Sequence, residues 1–269
     1  MSNNQHSGNM KTEILYGINP VFEALKADRR KIFEIYIAEN KASGRIAKVV
    51  KFAQSKKIPV KKVKTTQLKS IVGNSRHQGI SAKVNTYAIA DLSDIIGSDL
   101  ANDNNRFLLL LDNVLDPQNL GAIIRTALGV GIDGIIIPKD RSAMPTPAVS
   151  KASAGAIEHV RMIRITNMVD TIKVLKQQGV WVVGLDKGAD KTVYSSDLTG
   201  SVAIIIGGEE KGIRPLVKKN CDFLVSIPQM GQVNSLNASV AAAIVMYEAF
   251  RQREKQRKEP DVRTTLKSR

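Results

Sequence analysis

The second half of this chain alternates apolar runs typical of buried strands with segments of helical spacing. Residues 107–111 are continuously apolar, as expected of a strand covered on both faces of a parallel sheet. Further strand-like runs follow at residues 135–137, 160–165, 180–185, 202–206 and 223–227, and helical segments fit between most of them, at residues 146–155, 167–178 and 213–219. The alternation predicts an α/β fold with a mainly parallel sheet and helices on both faces.

Two further helices are predicted beside these strands. Asp116 is a good capping residue and Pro117 suits the first helical position, so a helix should begin there and run to about Gly129. A long last helix is expected from about Ser235 to about Arg253.

The first part of the chain predicts a smaller α/β module over residues 11–85. Strand-like runs at 32–38, 60–63 and 79–84 are interspersed with a short helix after Pro20 and a helix at 45–54. The aspartate-rich, polar residues 86–105 predict a linker to a second domain at 106–253. Residues 1–10 are expected to be a disordered leader, and residues 254–269 a basic tail that contacts RNA or only aids solubility.

The charge of the chain favours a polyanionic partner. Lys and Arg outnumber Asp and Glu by 40 to 25, a net charge of +15. From Lys41 to Ala90 there is no acidic residue at all, although a solvated surface usually mixes both signs. This stretch predicts an RNA phosphate-binding surface, the alternative being a basic protein without such a partner. Aromatic residues are only 4% of the chain, which argues against recognition mainly by base stacking.

Other classes of protein are disfavoured by what the sequence lacks. Cys221 is the only cysteine, so no disulfide can form within the chain, as is usual in a reducing cytoplasm. No group of residues has zinc-ligand spacing and no apolar run approaches the length of a membrane span, so neither a metal nor a membrane is expected. We therefore expect a cytoplasmic protein.

Residues 129–134 fit the GxGxxG pattern of dinucleotide-binding proteins, but in the wrong place. That pattern functions where it follows a strand and opens a helix. Here it closes a predicted helix and precedes a strand, so Gly129 and Gly131 are interpreted as a helix end and a turn. A nicotinamide-dependent enzyme is therefore disfavoured.

The segment Leu111-Asp-Asn-Val-Leu-Asp-Pro-Gln-Asn119-Leu-Gly-Ala-Ile-Ile-Arg125 is the first of three candidate site segments. Asn119 lies at a strand-to-helix corner, where ligands bind in open α/β sheets. Arg125 follows six residues later, a net rotation of about 240° on a helix, so the two residues need not share a face. Taken singly, Asn119 is better explained as a turn residue and Arg125 as a surface charge.

The second segment runs Ile204-Ile-Ile-Gly207-Gly208-Glu209-Glu210-Lys-Gly212-Ile-Arg214-Pro215. An apolar strand leads directly into two glycines, which let a ligand approach the backbone, and then into a carboxylate. The alternative is a tight turn with a solvated acid.

The third segment runs Ser226-Ile227-Pro-Gln-Met230-Gly-Gln-Val-Asn-Ser235-Leu236-Asn237-Ala-Ser239 and precedes an alanine-rich helix. Ser235 alone could cap that helix. Because a cap needs one polar side chain and three are present, the segment also predicts a binding site.

Together the three segments resemble, in order and spacing, the signature motifs of the SpoU (TrmH-like) family of RNA 2′-O-methyltransferases. Tyr16-Gly17-Ile-Asn-Pro20 resembles the start of that family's N-terminal RNA-binding domain, so the resemblance covers about Leu15 to Arg253. Within the family, the chain looks most similar to enzymes that methylate a guanosine ribose in large-subunit ribosomal RNA. Members that act on transfer RNA are the next most similar.

The resemblance implies a SPOUT fold, with a deep trefoil knot near the C-terminal end of a catalytic domain at residues 106–253. It implies that S-adenosylmethionine binds at the knot, lined by Gly207, Ile227 and Leu236 with Gly208 and Met230 close by. It also implies a homodimer whose active site lies at the subunit interface. The last helix, with Val240, Ile244 and Tyr247, is then part of that interface; the alternative is ordinary core.

The resemblance also implies catalytic roles. By analogy Arg125 accepts the ribose 2′-hydroxyl proton, with Asn119 and Glu209 orienting it and with Ser235 and Asn237 around the substrate. Because arginine stays protonated in nearly every site, Arg125 is alternatively a phosphate ligand that stabilises the developing alkoxide while water takes the proton. A transfer-RNA methyltransferase and a non-catalytic RNA-binding assembly factor remain the alternative functions.

Overall fold

The computed structural model describes residues 11–40, 43–96, 105–231 and 235–258. In chain order its elements are β1 (Thr12–Tyr16), α1 (Ile18–Ala27), β2 (Ile32–Ala38), α2 (Gly44–Ser55), β3 (Val60–Val63), α3 (Thr65–Val72), β4 (Ile80–Asn85), α4 (Ser93–Ile96), β5 (Phe107–Asp112), α5 (Pro117–Val130), β6 (Gly134–Pro138), α6 (Pro147–Ala152), β7 (Met162–Ile165), α7 (Met168–Gln177), β8 (Trp181–Leu185), β9 (Val202–Gly207), α8 (Pro215–Asn220), β10 (Phe223–Val225) and α9 (Ala238–Lys258). The expected leader, residues 1–10, lies outside the described residues.

These elements form two compact units. The first unit contains residues up to Ala88 together with Pro145–His159, and the second contains Ile89–Met144 and the residues from Val160 onward. The sequence had assigned residues 145–159 to the second domain, whereas α6 and the 3₁₀ turn after it pack in the first unit. The reason is a buried ion pair: Arg30 Nη1 lies 3.3 Å from Glu158 Oε1, and both side chains are almost fully buried.

The first unit is built on a four-stranded sheet in the order β1-β4-β2-β3. β4 pairs antiparallel with β1 and β2, while β3 joins β2 in parallel. The sheet's core includes Leu15, Ile35 and Ile80, each fully buried. The predicted strands and helices of this module are present, but β1 and α3 were not predicted, because their short runs mix polar and apolar residues without a clear period.

The second unit is built on a six-stranded sheet in the order β10-β8-β9-β5-β6-β7, and all of its pairings are parallel. Every residue of β5 and β6 is buried, which explains why their sequences are continuously apolar. Asp116 caps α5, its side chain accepting from Gln118 N, and Gly131 ends the helix in the left-handed region. The predicted parallel α/β fold is confirmed; the trefoil knot stays a prediction.

Three predicted boundaries are corrected. The segment 86–105 is not simply a linker: Ala90 forms a parallel bridge with Ile163, and Ile95 is buried in the core of the second unit. The apolar residues of this segment are few and lie between aspartates, so their period is too weak to reveal this packing. The last helix runs from Ala238 to Lys258, so residues 254–258 of the expected tail are helical and the rest lie outside the described residues.

Candidate active site

The candidate site lies where the strand order of the second sheet changes direction. From β5 the chain proceeds outward to β6 and β7, whereas β9 reaches β5 from the opposite side. The two strands are in register, with Asp112 of β5 opposite Gly207 of β9. Ligands of open α/β sheets bind at the carboxyl ends of strands at such a point. The first and second motif segments therefore meet there.

A hydrogen-bonded network joins one residue from each of the three motif segments. Asn119 Nδ2 donates to Glu209 Oε1 at 2.9 Å, and Asn237 Nδ2 donates to Asn119 Oδ1 at 3.0 Å. Asn237 Nδ2 also donates to Glu209 Oε1, and the backbone N–H of Ala238 reaches the same oxygen at 3.5 Å. The carboxylate is thus oriented by two amides although its side chain faces solvent.

Asn237 also begins the last helix. Its Oδ1 accepts from Ser239 N at 2.9 Å, from Ser239 Oγ at 2.6 Å and from Val240 N at 3.3 Å, the pattern of an N-cap. The alternative that Ser235 caps this helix is therefore wrong. Because one end of the Asn237 amide caps α9 and the other joins the network, the orientation of the amide is fixed.

The loop that carries Glu209 is folded tightly against the end of β5. Gly208 N donates to Asp112 O, and Gly212 N donates to Gly208 O, each at 2.9 Å. A Cβ at Gly207 would lie 2.1 Å from the backbone carbon of Gly212, and one at Gly208 would lie 2.2 Å from Asn113 O. The two glycines are thus required by close backbone approach, and the loop holds Glu209 at its tip.

An ion pair between buried Asp112 and half-buried Arg214 lies at the other end of this loop. Asp112 is fully buried, and its carboxylate accepts from Arg214 N at 2.9 Å and from Arg214 Nε at 2.8 Å. Sequence reasoning missed this pair. The available signal was that Asp112 is the first polar residue after a continuous apolar strand, at the end of the strand where ligands bind.

A cavity of about 370 Å³ lies on one side of the Glu209 loop. Four of the five predicted cofactor residues line it, namely Gly207, Gly208, Ile227 and Leu236. The fifth, Met230, is fully exposed and is not among the lining residues. Gln229, Leu185 and Ser235 line the cavity as well, so Ser235 lies on this side rather than in the hydrogen-bonded network.

This cavity suits a small ligand with an apolar and a polar part. Its volume falls in the range of small-molecule sites, about 300–1,000 Å³. Apolar side chains at the ends of β8 and β9, Leu185 and Ile206, share its wall with the glycine backbone and with Glu209 and Glu210. S-adenosylmethionine, with its adenine ring and positively charged sulfonium and ammonium groups, fits this set of groups.

Arg125 is not part of the network. It is exposed on α5, and its side chain makes no hydrogen bond or ion pair with the part of the chain that the structure describes. Arg125 shares a face of α5 with Leu128, three residues on, which is 40% exposed. The structure thus brings together Asn119, Glu209 and Asn237 but not Arg125.

Among the described residues, no group of three or more His, Cys, Asp or Glu side chains is arranged to hold a metal ion. In the same residues, no helix combines the length and apolar character that crossing a membrane requires.

Two family models match the chain. The model of the SpoU rRNA Methylase family matches residues 106–247, and the model of RNA 2'-O ribose methyltransferase substrate binding matches residues 14–90. Together they span both parts of the chain.

Named proteins are similar over nearly the whole length. A putative TrmH family tRNA/rRNA methyltransferase, YacO of Bacillus subtilis, is 42% identical over 90% of this chain and 96% of its own. The 23S rRNA (guanosine-2'-O-)-methyltransferase RlmB of Photorhabdus laumondii is 39% identical, over 90% of this chain and 99% of its own.

Solved structures share the fold. The AdoMet-bound rRNA methyltransferase from Sinorhizobium meliloti matches with a TM-score of 0.74 and 25% identity, over 90% of this chain and 87% of that one. The SpoU methyltransferase AviRb from Streptomyces viridochromogenes has a TM-score of 0.75 at 24% identity, with 91% of each chain covered.

Proposed function

This chain belongs to the SpoU family of RNA methyltransferases, and we propose that it transfers the methyl group of S-adenosylmethionine to a ribose 2′-hydroxyl of a guanosine in 23S ribosomal RNA. The observation that carries the proposal is the Asn119–Glu209–Asn237 network, which joins the three family motifs beside the glycine-walled cavity. The substrate follows from the RlmB relative, which is named for that reaction. We place the enzyme in the cytoplasm, where its RNA substrate is assembled.

S-adenosylmethionine would supply a sulfonium-bound methyl group whose carbon an oxygen nucleophile can attack, with S-adenosylhomocysteine as the leaving group. The chain's own contribution is to bind and orient. Leu185, Ile227 and Leu236 offer apolar contacts, and Gly207 and Gly208 leave the backbone open to the ligand. Glu209, held by two amides, is positioned to accept a hydrogen bond from the ribose or to orient a cationic group. Positioning of this kind can provide much of the rate.

The ribose hydroxyl needs a group that accepts its proton or that stabilises the alkoxide formed when the proton leaves, and we assign one of these two tasks to Arg125. Arg125 accepts the proton or, as the protonated guanidinium, binds the target phosphate and stabilises the alkoxide while water takes the proton. Either role predicts that Arg125→Ala abolishes methylation and leaves cofactor affinity within about twofold. Loss of cofactor binding in a folded variant would contradict both.

We further propose a homodimer in which Arg125 serves the active site of the partner subunit. Arg125 lies outside the network of its own chain, on an exposed helix face beside an exposed leucine. Val240 and Tyr247 of α9, which packs on α5, are also about half exposed. A second copy covering this face would bury the apolar side chains and carry Arg125 to its site.

A mixing experiment tests this arrangement. Arg125→Ala and Glu209→Ala are each inactive alone, but unfolding and refolding the two together gives mixed dimers with one complete site. Equal amounts should recover about a quarter of wild-type activity, because half of the dimers are mixed and each has one working site. If both residues serve the same subunit's site, the mixture stays inactive.

The substrate is best identified with purified protein, radiolabelled S-adenosylmethionine and separate pools of undermodified 23S ribosomal RNA and transfer RNA. We expect label on one guanosine ribose of the ribosomal RNA. Label on transfer RNA alone would support the alternative that the wording "tRNA/rRNA" in the YacO name leaves open. Absence of both label and cofactor binding would favour a non-catalytic RNA-binding protein.

We propose that the first unit binds the RNA through its basic surface. In the stretch from Lys41 to Ala90, Lys56 pairs with Asp28 at 2.9 Å and Lys61 with Glu34 at 2.5 Å, so these two charges are partly neutralised. In α2, the turn after it and β3, the exposed cations without an acidic partner among the described residues are Arg45, Lys48, Lys51, Lys57 and Lys62. These five make up the surface that we call the basic face.

Reversal of charge on the basic face should weaken RNA binding and flatten its salt dependence. The double variant Lys48→Glu with Lys51→Glu should make the slope of log K for RNA binding against log salt less negative by about two. Each lost phosphate contact accounts for about one. The matched control is Lys173→Glu, an exposed lysine of α7 in the second unit, which should leave the slope unchanged. Unchanged RNA affinity in the double variant would overturn the assignment.

A further inference from the structure

A second cavity lies on the other side of the Glu209 loop, with a volume of about 590 Å³. It shares Asn119, Gly208 and Glu209 with the site already described, so a molecule in it touches the network. Its remaining wall contains three basic residues that none of the family motifs assigned a role, Arg141, Lys211 and Arg214.

Arg214 is fixed at this wall by Asp112. Its backbone N–H and its Nε both donate to the buried carboxylate, and Nη2 lies 2.8 Å from the same oxygen as Nε. A carboxylate with no exposure that binds an arginine through three nitrogens holds the guanidinium in one orientation. Yet the Arg214 side chain is 39% exposed, and among the described residues Nη1 has no partner. The Nε and Nη2 edge of the guanidinium is therefore anchored on Asp112, and Nη1 is available to a ligand in the cavity.

Backbone strain in the second unit is concentrated at the same cavity. Asn113 and Arg141 are the non-glycine residues described in this unit that have positive φ, 65° and 58° respectively, and both line it. The Arg141 loop is tied to the loop after β5, because Ala143 N donates to Val114 O at 2.8 Å. Strain of this kind is kept where the surroundings impose it and is common at ligand sites.

The charges of the lining favour an anion. The acidic members are Asp116, Glu209 and Glu210. Asp116 is engaged in capping α5 and Glu209 accepts from three donors, which leaves Glu210 as the one acidic residue of the lining without such a contact. Arg141 and Lys211 are exposed and have no acidic partner among the residues the structure describes. The fixed arginine edge and the two unpaired cations line the same cavity as Asn119 and Glu209, and arginine and lysine are the side chains that bind a nucleotide's phosphate.

We propose that this cavity binds a phosphodiester group of the substrate RNA next to the methylated ribose, with Arg214 and Arg141 as its ligands and Asp112 as the positioning residue. The proposal rests on the proposed function. Its effect is to fix the ribose against the Asn119–Glu209–Asn237 network, so that the 2′-hydroxyl is held in place for displacement.

The first test separates RNA binding from scaffolding of the loop. Arg214→Gln should raise the KM for RNA by 10- to 100-fold. It should also make the slope of log K for RNA binding against log salt less negative by about one. Its affinity for S-adenosylmethionine, measured by calorimetry without RNA, should stay within twofold. Arg214→Lys keeps the positive charge but loses the planar guanidinium that Asp112 orients, and it should recover only part of the RNA affinity. Lys173→Gln is the control and should match wild type.

A second test locates the contact. A synthetic RNA fragment containing the mapped nucleotide is made with a neutral methylphosphonate in place of the phosphate 5′ or 3′ to the target ribose. Wild type should lose about tenfold or more in affinity for one of the two fragments, and Arg214→Gln should lose no more than twofold for that same fragment. Equal losses in both proteins at both positions would overturn the proposal.

Two further outcomes are decisive. If Arg214→Gln loses cofactor affinity together with RNA affinity, the ion pair acts only as a scaffold for the Glu209 loop and the phosphate site is refuted. If wild type methylates no RNA, the proposed function fails, but the salt slopes of Arg214→Gln and Arg141→Gln in equilibrium RNA binding still decide the phosphate site. Slopes equal to wild type in both variants would refute it.

Discussion

Asn237 combines a structural and a functional contact in one side chain. Its carbonyl oxygen caps α9 while its amide nitrogen joins Asn119 and Glu209. The sequence showed three polar residues before an alanine-rich helix, which indicated more than a cap. It could not indicate which of them capped, because Ser235, Asn237 and Ser239 are all good capping residues.

Substitutions at Asn237 can separate the two contacts. Asn237→Ser keeps an oxygen that can cap the helix, so unfolding free energy should change by less than about 0.5 kcal/mol, yet methylation should fall at least about 100-fold. Asn237→Ala should lose the activity and about 1 kcal/mol of stability as well. Thermal melts and single-turnover rates measure the two effects. An active serine variant would show that the amide donor is dispensable.

Cys221 is predicted to be unreactive. Its side chain packs against the core of the second unit, its thiol donates to Val217 O at 3.4 Å, and burial raises its pKa to about 11. At pH 8 the thiolate fraction is then about 0.1%, against roughly a quarter for a free cysteine.

Alkylation by iodoacetamide at pH 8 should be at least about 100-fold slower in the native protein than in guanidinium, and the rate should still be rising at pH 10. A native rate that levels off near pH 8.5 would contradict the assignment.

At the scale of elements, the position of residues 145–159 was the largest difference from the sequence-based expectation. The sequence predicted that these residues are helical, but it did not predict that they pack in the first unit. Arg30 and Glu158 are 128 positions apart in the chain, and no local pattern connects them. Ser150 Oγ adds a hydrogen bond to the same Glu158 oxygen at 3.2 Å. Buried charges need partners, and only folding reveals which partner is used.

Removing Arg30 should destabilise the first unit strongly. Burial raises the pKa of Glu158 and Arg30 opposes that rise, so Arg30→Met raises this pKa further. A carboxyl with a raised folded-state pKa contributes stability below its unfolded value, about 4.5, and loses it as the pH climbs through the folded value. The cost of Arg30→Met should therefore be small near pH 4.5 and reach about 3–5 kcal/mol near pH 8.

The double variant Arg30→Met with Glu158→Gln serves as the control for this pair. It no longer carries the fully buried carboxylate of Glu158, while Glu13, which also pairs with Arg30, is 18% exposed. Most of the loss should therefore be recovered, and most of its pH dependence should disappear. Chemical unfolding at several pH values measures both. A cost of Arg30→Met that is the same at pH 4.5 and pH 8 would show that the charge of Glu158 is not involved.

At the scale of the whole molecule, the exposed apolar face of α5 and α9 bears on assembly. Leu128, Val240 and Tyr247 are between 40% and 54% exposed, which is unusual for side chains of this size on neighbouring helices. The proposed homodimer would cover them.

Tyr247→Asp should weaken the dimer at least about 30-fold, because an interface of this kind does not compensate a buried charge. Leu216→Asp is the matched control, since Leu216 is 63% exposed on α8 outside this face. Sedimentation over a range of concentrations should show dissociation of the first variant only. A stable Tyr247→Asp dimer would place the interface elsewhere.

The sequence by itself determined the parallel α/β class, because strands buried on both faces must be apolar throughout. It also identified the three motif segments and, through their resemblance to one family, four residues that line the candidate cofactor cavity, Gly207, Gly208, Ile227 and Leu236. Gly207 and Gly208 were recognisable because only glycine tolerates such close backbone approach.

Tertiary structure alone decided which polar groups meet. Asp112 and Arg214 are 102 positions apart in the sequence, and Asn119 and Asn237 are 118 positions apart. Local periodicity cannot predict contacts between residues so far apart. It also left Arg125 outside the network and Met230 outside the cavity, although both belong to motif segments. A motif records which residue types a site needs, whereas the direction in which each side chain points depends on helix phase and loop packing.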